Sequence, residues 1–501
     1  MHMQLWQSIP FACIILPLGT AAVTSVMKPR LARIWATGII AIVTVLSAVV
    51  TGIFLSGAES YTYMMGHYPA PWGNEIRAGL LEALTALVFS SVMLLSLLGG
   101  MKKLDEHLAA QNLSLYCVIL LLMTAALMAQ VYTNDIFTAY VFLEIMTLAA
   151  CALIAVRKRG RTLVAATKYM IMNLIGSGLF LLGIILLYDI SGHLLMENIG
   201  DAVQKIAATG EYRQPLIVVV ALISIGLCIK SALFPFHTWV PDAYGYSTPT
   251  SAAVLSSLVS KGYIFLLIKI MYRVIGLEVI NQTGITDVLF VFALVGMVMG
   301  SISAIRQNDI RRMIAYSSVA QIGYIYMGIG LGTDAGMMAA MFHLFSHTLC
   351  KSMLFLAAGG LADASGNSKI FRDLRGAGYR SPIAGVAFTI GALSMVGFPF
   401  LGGFTSKFNF GLAAMQAGDI RALLVLIVLA ISTSLNTVYF LRTVITLYRK
   451  PLENAHYPVE KGQRGLMFNV SLVCFAVLNV VLGLFSQAIV NAIVTGLNTF
   501  G

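Results

Sequence analysis

The chain has 501 residues, of which 58% are hydrophobic and 11% charged, and its mean hydropathy is +0.86. A soluble domain of this size needs a charged surface, so the composition excludes the soluble globular class and predicts a polytopic membrane protein. The net charge of +11 invites a nucleic-acid partner. The basic residues instead cluster in short loops between apolar segments, which favours membrane topology and predicts no nucleic-acid binding.

About fourteen apolar segments lie near or above the roughly twenty residues needed to cross a bilayer. The predicted fold class is therefore an all-α polytopic membrane protein embedded in lipid. The predicted spans are residues 5–27, 34–55, 78–99, 113–132, 135–156, 162–188, 215–236, 248–273, 286–305, 310–331, 334–361, 382–416, 422–448 and 467–494. The segment at 382–416 is long enough to be a broken helix.

The first apolar segment has its charges behind it and no positive region in front, which predicts a membrane helix rather than a cleaved signal. Lys/Arg clusters follow the odd-numbered segments, and the intervening loops carry few. By the positive-inside rule the basic loops are cytoplasmic, which predicts a multi-pass protein with both termini on the outer side. The expected location is the cell's inner (plasma) membrane. The basic clusters lie at 28–33, 102–103, 157–161, 306–312, 369–380 and 449–464.

Three ionisable residues lie deep inside apolar segments: Glu144, Lys230 and Lys261. A charge at bilayer depth costs about 2.5–3.5 kcal/mol on insertion scales, so such residues usually face one another or water. We expect Glu144 to pair with a buried lysine and to switch its charge as a proton arrives or leaves. The alternatives are a protonated carboxyl that only holds helices together and a lysine that snorkels. Lys269 and Arg273 approach the end of their segment and are expected to snorkel.

A histidine–lysine stripe follows at His343, His347 and Lys351. The i, i+4, i+8 spacing lines one helical face over about 12 Å. Histidine titrates near physiological pH, so the stripe suits a proton relay. A pair of hydrogen-bonded interhelical histidines is the alternative, and a two-histidine metal site would need further ligands that the sequence does not show.

The phrase Phe-Pro-Phe occurs twice, around Pro235 and Pro399, each time close to a lysine, which is Lys407 in the second case. Proline removes a helical hydrogen bond, so both spans are predicted to be discontinuous. The distance in sequence between the two phrases corresponds to five spans, so it maps one block of five spans onto the next. Because five is odd, the two blocks have opposite orientations, as in transporters built from inverted repeats. The predicted divisions are an N-terminal three-helix segment at 1–110, repeats at 111–275 and 276–450, and a C-terminal helix at 451–501.

The motifs of resident cofactors are missing from the sequence. Six cysteines are scattered without CxxC spacing, and there is no GxGxxG, P-loop or CxxCH motif. We therefore predict no catalytic residue, no cofactor and no metal in this chain, so that any redox activity would belong to partner subunits.

The segment KSALFPFHTWVPDAYGYSTPTSAAVLSSLVSKGYIFLL resembles the antiporter-like subunits of respiratory complex I and the Mrp-type cation/proton antiporters. The agreement extends over roughly forty residues with a lysine at each end of the pattern. Similarity continues in FLEIMTLAACALIA, RRMIAYSSVAQIGY, FHLFSHTLCKSMLFL and GFPFLGGFTSKF, and YPAPWG at 68–73 resembles the early loop of the Mrp D-type branch.

The resemblance implies fourteen helices with two inverted five-helix repeats, each forming a half-channel. It also implies an order for proton translocation: Glu144 paired with Lys230, then Lys261, then the helix of His343, His347 and Lys351, and finally Lys407. Lysine at the last position is similar to the D-type branch and to one complex I branch.

The function implied is movement of H⁺ in exchange for Na⁺ or another monovalent cation, within a complex with other membrane subunits. Two alternatives stay open at this point. The same module occurs as a redox-driven pumping subunit in membrane hydrogenases and complex I-like NADH:quinone oxidoreductases. The buried charges could also be those of a passive scaffold.

Overall fold

A computed structural model describes residues 5–68, 73–418, 420–451 and 465–500. Most of the YPAPWG loop, and the basic positions 461 and 464 of the last predicted loop, lie outside the described residues. The described chain is almost entirely helical. A small antiparallel hairpin pairs β1 (Tyr61–Met64) with β2 (Glu75–Ala78).

The helices follow one another with short connections. The helices up to residue 275 are α1 (Ile9–Thr24), α2 (Pro29–Leu55), α3 (Leu80–His107), α4 (Ala110–Tyr132), α5 (Ile136–Ala155), α6 (Gly160–Ser191), α7 (Met196–Thr209), α8 (Arg213–Ser231), α9 (Val240–Tyr246), α10 (Pro249–Val254) and α11 (Ser260–Ile270). Those beyond are α12 (Leu277–Thr283), α13 (Ile285–Ile305), α14 (Ile310–Gly330), α15 (Asp334–Asp363), α16 (Ala377–Arg380), α17 (Pro382–Val396), α18 (Gly402–Ala417), α19 (Ile420–Tyr448), α20 (Leu466–Leu484) and α21 (Ser486–Asn498).

Twelve helices of the described residues are long and apolar enough to cross a membrane. The more polar α14 and the pair α17–α18 supply the remaining two predicted segments. The prediction of an all-α polytopic fold is therefore confirmed. One predicted span differs in detail, because residues 467–494 form two helices that meet at Phe485.

Successive spans alternate in direction, so the Lys/Arg-rich loops gather at one end of the bundle, termed the basic end. Ion pairs join these loops there, between Arg33 and Asp105 at 2.7 Å and between Lys103 and Asp363 at 3.5 Å. The β1–β2 hairpin lies at the other end, termed the opposite end. Both described termini are also there.

Both predicted helix breaks are present. Helix α8 ends at Ser231, and Ala232 has a φ of 67° before a short 3-10 helix leads into α9. Helix α17 ends before Gly397, whose φ of 95° only glycine adopts without strain, and α18 begins after the second proline. The carbonyls at the ends of α8 and α17 lose helical partners at these breaks, and the breaks therefore provide acceptors inside the membrane.

The most enclosed helical segments occupy the centre of the bundle. Two segments are completely buried along their most apolar stretches. They are Pro249–Ile275, a continuous run that includes α10 and α11, and Asp334–Asp363, which is α15. The first run also contains two π-helical turns, Leu255–Val259 and Met271–Ile275. These central segments carry Lys261 and the histidine–lysine stripe, so the fold places both far from the lipid-facing surface.

Candidate functional site

Glu144 and Lys230 form an ion pair inside the bundle. The Lys230 Nζ lies 3.2 Å from the Glu144 Oε1, and the lysine side chain is fully buried whereas that of Glu144 is 23% exposed. Ser177 of α6 donates a hydrogen bond to the same carboxylate oxygen. Lys230 lies in the last turn of α8, where the negative end of the helix dipole stabilises a cation. The pairing that the sequence predicted is therefore present at the first helix break.

Two hydroxyl groups extend this pair to α11, the helix that carries Lys261. Thr147 lies one turn after Glu144 on the same face of α5, and its hydroxyl accepts a hydrogen bond from Lys230 Nζ at 2.8 Å. The Tyr263 hydroxyl is 2.9 Å from the Thr147 hydroxyl, and Tyr263 is two residues from Lys261 on α11. The Lys230 ammonium also lies 5.3 Å from the centroid of the Tyr263 ring. A hydrogen-bonded hydroxyl of this kind can relay a proton, because its oxygen accepts one proton and releases the proton that it already carried.

Lys261 is fully buried, and a π-helical turn supplies its acceptor. Its Nζ donates to the Ser256 carbonyl at 2.5 Å. A π-helical turn changes the regular hydrogen-bond ladder and is frequent at functional sites. The Ser256 hydroxyl lies 3.2 Å from that of Ser318 on α14, which connects the Lys261 site to the next helix.

Lys351 is the next cation, and it is fully buried on α15. Its Nζ donates to the hydroxyl of Ser317 and, at 3.3 Å, to the carbonyl of Ile314, both on α14. Ser317 neighbours Ser318 in the chain. The two serines therefore place hydrogen-bonding groups between the surroundings of Lys261 and Lys351.

His343 and His347 stack on each other, with ring centroids 5.8 Å apart. His343 Nδ1 is 2.5 Å from the Ser406 hydroxyl, which links the stripe to α18. Within the described residues neither ring nitrogen of His347 has a hydrogen-bond partner, and the same is true of both amide atoms of Gln321. Buried polar groups are as a rule hydrogen-bonded, so these atoms are where water molecules would bind.

Lys407 lies beyond the second break, and its Nζ donates to the Val396 carbonyl at the end of α17 at 2.8 Å. The ammonium is 5.7 Å from the centroid of the Tyr324 ring, which itself stacks on His343 at 5.5 Å. In both breaks a lysine therefore lies at the carbonyl end of the first half-helix. Lys230 precedes its break, whereas Lys407 follows its break.

The structure brings all the predicted site residues into one row across the bundle, and it adds polar side chains that the sequence analysis did not select. These are Thr147, Ser177, Tyr263, Ser317, Ser318 and Gln321. A signal was available for Thr147, at i+3 from Glu144, and for the polar side of α14. Serine and threonine are common in membrane helices, however, so the signal is weak without the partner helices.

The expectation for Lys269 is wrong. Its side chain is fully buried rather than extended to the interface, and its Nζ donates to the carbonyls of Val131 and Thr133 at 2.7 and 2.6 Å. These carbonyls belong to the end of α4, where helical partners are missing. Arg273 is partly buried, with its guanidinium 2.6 Å from Asn134 Oδ1. Lys269 therefore binds the end of α4 instead of reaching the membrane interface. The sequence does not reveal this tertiary contact.

No cluster of three or more His, Cys, Asp and Glu side chains that could hold a metal ion occurs within the described ranges. The row consists of lysine, histidine and hydroxyl side chains and one carboxylate. Such a set can hold and pass protons, and its only anion is Glu144. The fold and this row together define a polytopic membrane protein with a buried row of ionisable side chains.

Residues 133–433 match the NADH:quinone oxidoreductase/Mrp antiporter transmembrane family. The match covers more than half of the chain, and the chain therefore belongs to this family. The resemblance noted in the sequence is confirmed.

Relatives come from both branches of the family. The chain is 34% identical, over 97% of each protein, to NADH-quinone oxidoreductase subunit N of Desulforudis audaxviator. It is 29% identical to the putative antiporter subunit mnhD2 of Staphylococcus haemolyticus, over 86% of this chain and 84% of that protein.

Two solved structures are similar over almost the full length. A chain of the membrane-bound sulfane sulfur reductase, an archaeal respiratory membrane complex, has a TM-score of 0.87 at 28% identity, covering 98% of both chains. A chain of the Mrp complex from Dietzia sp. DQ12-45-1b has a TM-score of 0.86 at 22% identity, covering 99% of this chain and 98% of the other, and at that identity it shows the fold alone.

Proposed function

We propose that this chain is a proton-translocating, antiporter-like membrane subunit that moves H⁺ in exchange for Na⁺ or another monovalent cation. The observation that carries the proposal is the ion pair of Glu144 and Lys230, with the lysine fully buried at a helix break. A charged pair inside a membrane costs free energy, and ionisable residues at such positions as a rule have a function that uses the charge. The family membership supports the same activity.

The proton moves, in this proposal, by opening and closing the first pair. At 3.2 Å the carboxylate of Glu144 stabilises the ammonium of Lys230. When the pair opens, the ammonium is left in a buried position with only a hydroxyl acceptor, and its proton leaves through Thr147 and Tyr263 to α11, the helix that carries Lys261. No covalent chemistry is needed.

The remaining steps use the row beyond Lys261. The serines of α14 connect Lys261 to Lys351, and the stacked histidines of α15 continue the row to Ser406, one residue from Lys407. A charge that arrives at one buried lysine disfavours a charge on its neighbour, so occupation of successive stations is coupled. Lys407, at the second break, is the terminal station of the path.

The chain's halves and orientation belong to the same proposal. Residues 111–275 and 276–450 form two inverted half-channels. The support is that α8 and α17, which run in opposite directions through the bundle, are each broken at a residue with positive φ. The protein lies in the plasma membrane with its basic end toward the cytoplasm and both termini on the outer side, supported by the collection of Lys/Arg loops at that end.

The second candidate is the same module as a redox-driven pump subunit in a hydrogenase-like or complex I-like assembly. The observation that favours it is the 34% identity to a subunit of an NADH-quinone oxidoreductase over nearly the whole chain. In either case the subunit works with other membrane subunits and is not itself an enzyme, because redox chemistry would belong to the partners. Purification of the intact complex separates the two, since only the redox-driven assembly contains iron–sulfur subunits.

The proposal is tested with the purified complex in proteoliposomes, by recording the internal pH after a Na⁺ pulse. Lys230→Ala is expected to abolish the pH response while the complex assembles normally. A passive scaffold predicts the reverse, with lost assembly and normal transport per assembled complex. Unchanged transport in both Lys230→Ala and Glu144→Ala contradicts the proposal.

A further inference from the structure

Five cationic side chains converge on two cavities at the basic end, away from the proton path. The cavities have volumes of about 300 and 560 Å³ and share Arg157, Arg159 and Lys369 in their walls. Arg311 lines the smaller cavity and Arg161 the larger. These five side chains and the two cavities are termed the basic pocket. The smaller cavity alone has roughly the volume of ten water molecules in the liquid, which is ample for a phosphate group.

Three carboxylates also line the cavities, but each already has a partner other than the five cations. Glu106 lies 2.5 Å from the ammonium of Lys103, and Asp363 lies 3.5 Å from the same ammonium. Asp309 caps the N-terminus of α14 and accepts two backbone N–H groups of its first turn. The basic pocket therefore keeps a positive excess.

The cations of the basic pocket form no ion pair with any described carboxylate. Lys369 donates to the Gly245 carbonyl at 2.8 Å, and Arg157 reaches the Tyr246 carbonyl at 3.5 Å. Arg311 is 1% exposed, and one of its terminal guanidinium nitrogens donates to the carbonyls of Tyr244 and Ser247. Its Nε has no partner among the described residues. The Nε of Arg157 is likewise buried without one. Buried donors in this state are costly, and an anion in the cavity would satisfy them.

Two further observations support an anion. Burial and the nearby Arg311 lower the pKa of Lys369 to about 7; Arg157 and Arg159 act in the same direction, and Asp309 opposes them. The N-terminus of α6, a helix of 32 residues, also opens on the larger cavity. The positive end of its helix dipole favours a bound anion.

We propose that the basic pocket binds the phosphate group of an anionic phospholipid. Immediately after the pocket, α6 presents an exposed apolar face on which acyl chains can lie; its members include Leu163 at 49% and Val164 at 57% exposure, with Ile171 and Leu174 further along. Basic clusters at the ends of membrane helices attract anionic lipid headgroups. Inorganic phosphate shares the headgroup chemistry but makes no use of the apolar face.

The test uses the full chain in its purified complex, with phosphatidylglycerol and phosphatidylcholine supplied together and the bound lipid identified by native mass spectrometry. Preferential retention of phosphatidylglycerol is expected. Arg159→Gln with Lys369→Gln is expected to weaken that binding about 25-fold, at about fivefold for each cation near the surface. The matched control is Arg372→Gln, which removes a 78% exposed cation at the same end and should leave binding unchanged.

Equal retention of the two lipids, or unchanged phosphatidylglycerol binding in the double variant, overturns the inference. Heat protection by inorganic phosphate without a preference for phosphatidylglycerol overturns the lipid assignment in favour of a free phosphate. If the double variant does not assemble, the competition on the unmodified complex decides. The inference does not rest on the proton path, and a transport-inactive Lys230→Ala complex should bind the lipid normally.

Discussion

Replacement of Glu144 by glutamine tests the first step of the path with little change in shape. The amide keeps the size of the side chain and can still accept a hydrogen bond from Ser177, but it removes the charge that faces Lys230 at 3.2 Å. At an effective dielectric of about 20, two unit charges at that distance attract by about 5 kcal/mol. Because Glu144 is 23% exposed, solvent screens part of this attraction, and we take about 2–5 kcal/mol for the loss.

If the pair drives one proton transfer per cycle, this loss raises the barrier of that step by a similar amount. Each 1.36 kcal/mol corresponds to a factor of ten in rate, so transport should fall at least about 30-fold. The assay is the initial rate of internal pH change in proteoliposomes after a Na⁺ pulse, normalised to the amount of assembled complex.

Two matched variants accompany it. Glu278→Gln makes the same chemical change at an exposed position and should transport like the unmodified complex. Glu144→Asp keeps the charge and should retain more activity than the glutamine variant. Transport by Glu144→Gln within threefold of the unmodified rate would refute the role of the pair.

Three further predictions concern other parts of the chain. Ser318→Ala removes the hydroxyl between the Lys261 and Lys351 sites. It should slow proton transport in proteoliposomes about tenfold, because one hydrogen bond of about 1 kcal/mol or slightly more is lost. An unchanged rate would place the path elsewhere. Gly403→Ala directs a methyl group into the Ser394 carbonyl at the second break and should destabilise the complex by about 1–3 kcal/mol in thermal unfolding, whereas Gly411→Ala on the same helix meets nothing within 4 Å and should be neutral. Phosphatidylglycerol keeps its charge between pH 6 and pH 8, while Lys369, with a pKa of about 7, loses its proton. At about fivefold for a full charge, the affinity for phosphatidylglycerol should decrease about threefold over this range. Lys369→Arg should remove the pH dependence, and a flat profile in the unmodified protein would contradict the prediction.

Much of the architecture follows from the sequence alone. Long apolar runs can satisfy their backbone groups in a bilayer only as helices, so the spans could be predicted from composition and length. Pro235 and Pro399 cannot donate a helical hydrogen bond, which located both breaks. The cost of a buried charge singled out Glu144, Lys230 and Lys261 before any partner was known.

The tertiary structure decided which groups meet. Ser177 and Tyr263 became part of the first site because α6 and α11 pack against the Glu144–Lys230 pair, and their own sequence surroundings are ordinary. The polar side of α14 faces the stripe of α15 only in the packed bundle. Lys269 shows the limit most clearly, because its acceptors are carbonyls at the end of α4, far away in the chain. Local sequence determines that a charge is buried and a helix is broken, since both depend on a few neighbouring residues. Which donor meets which acceptor depends on contacts between distant segments, and those exist only in the folded bundle.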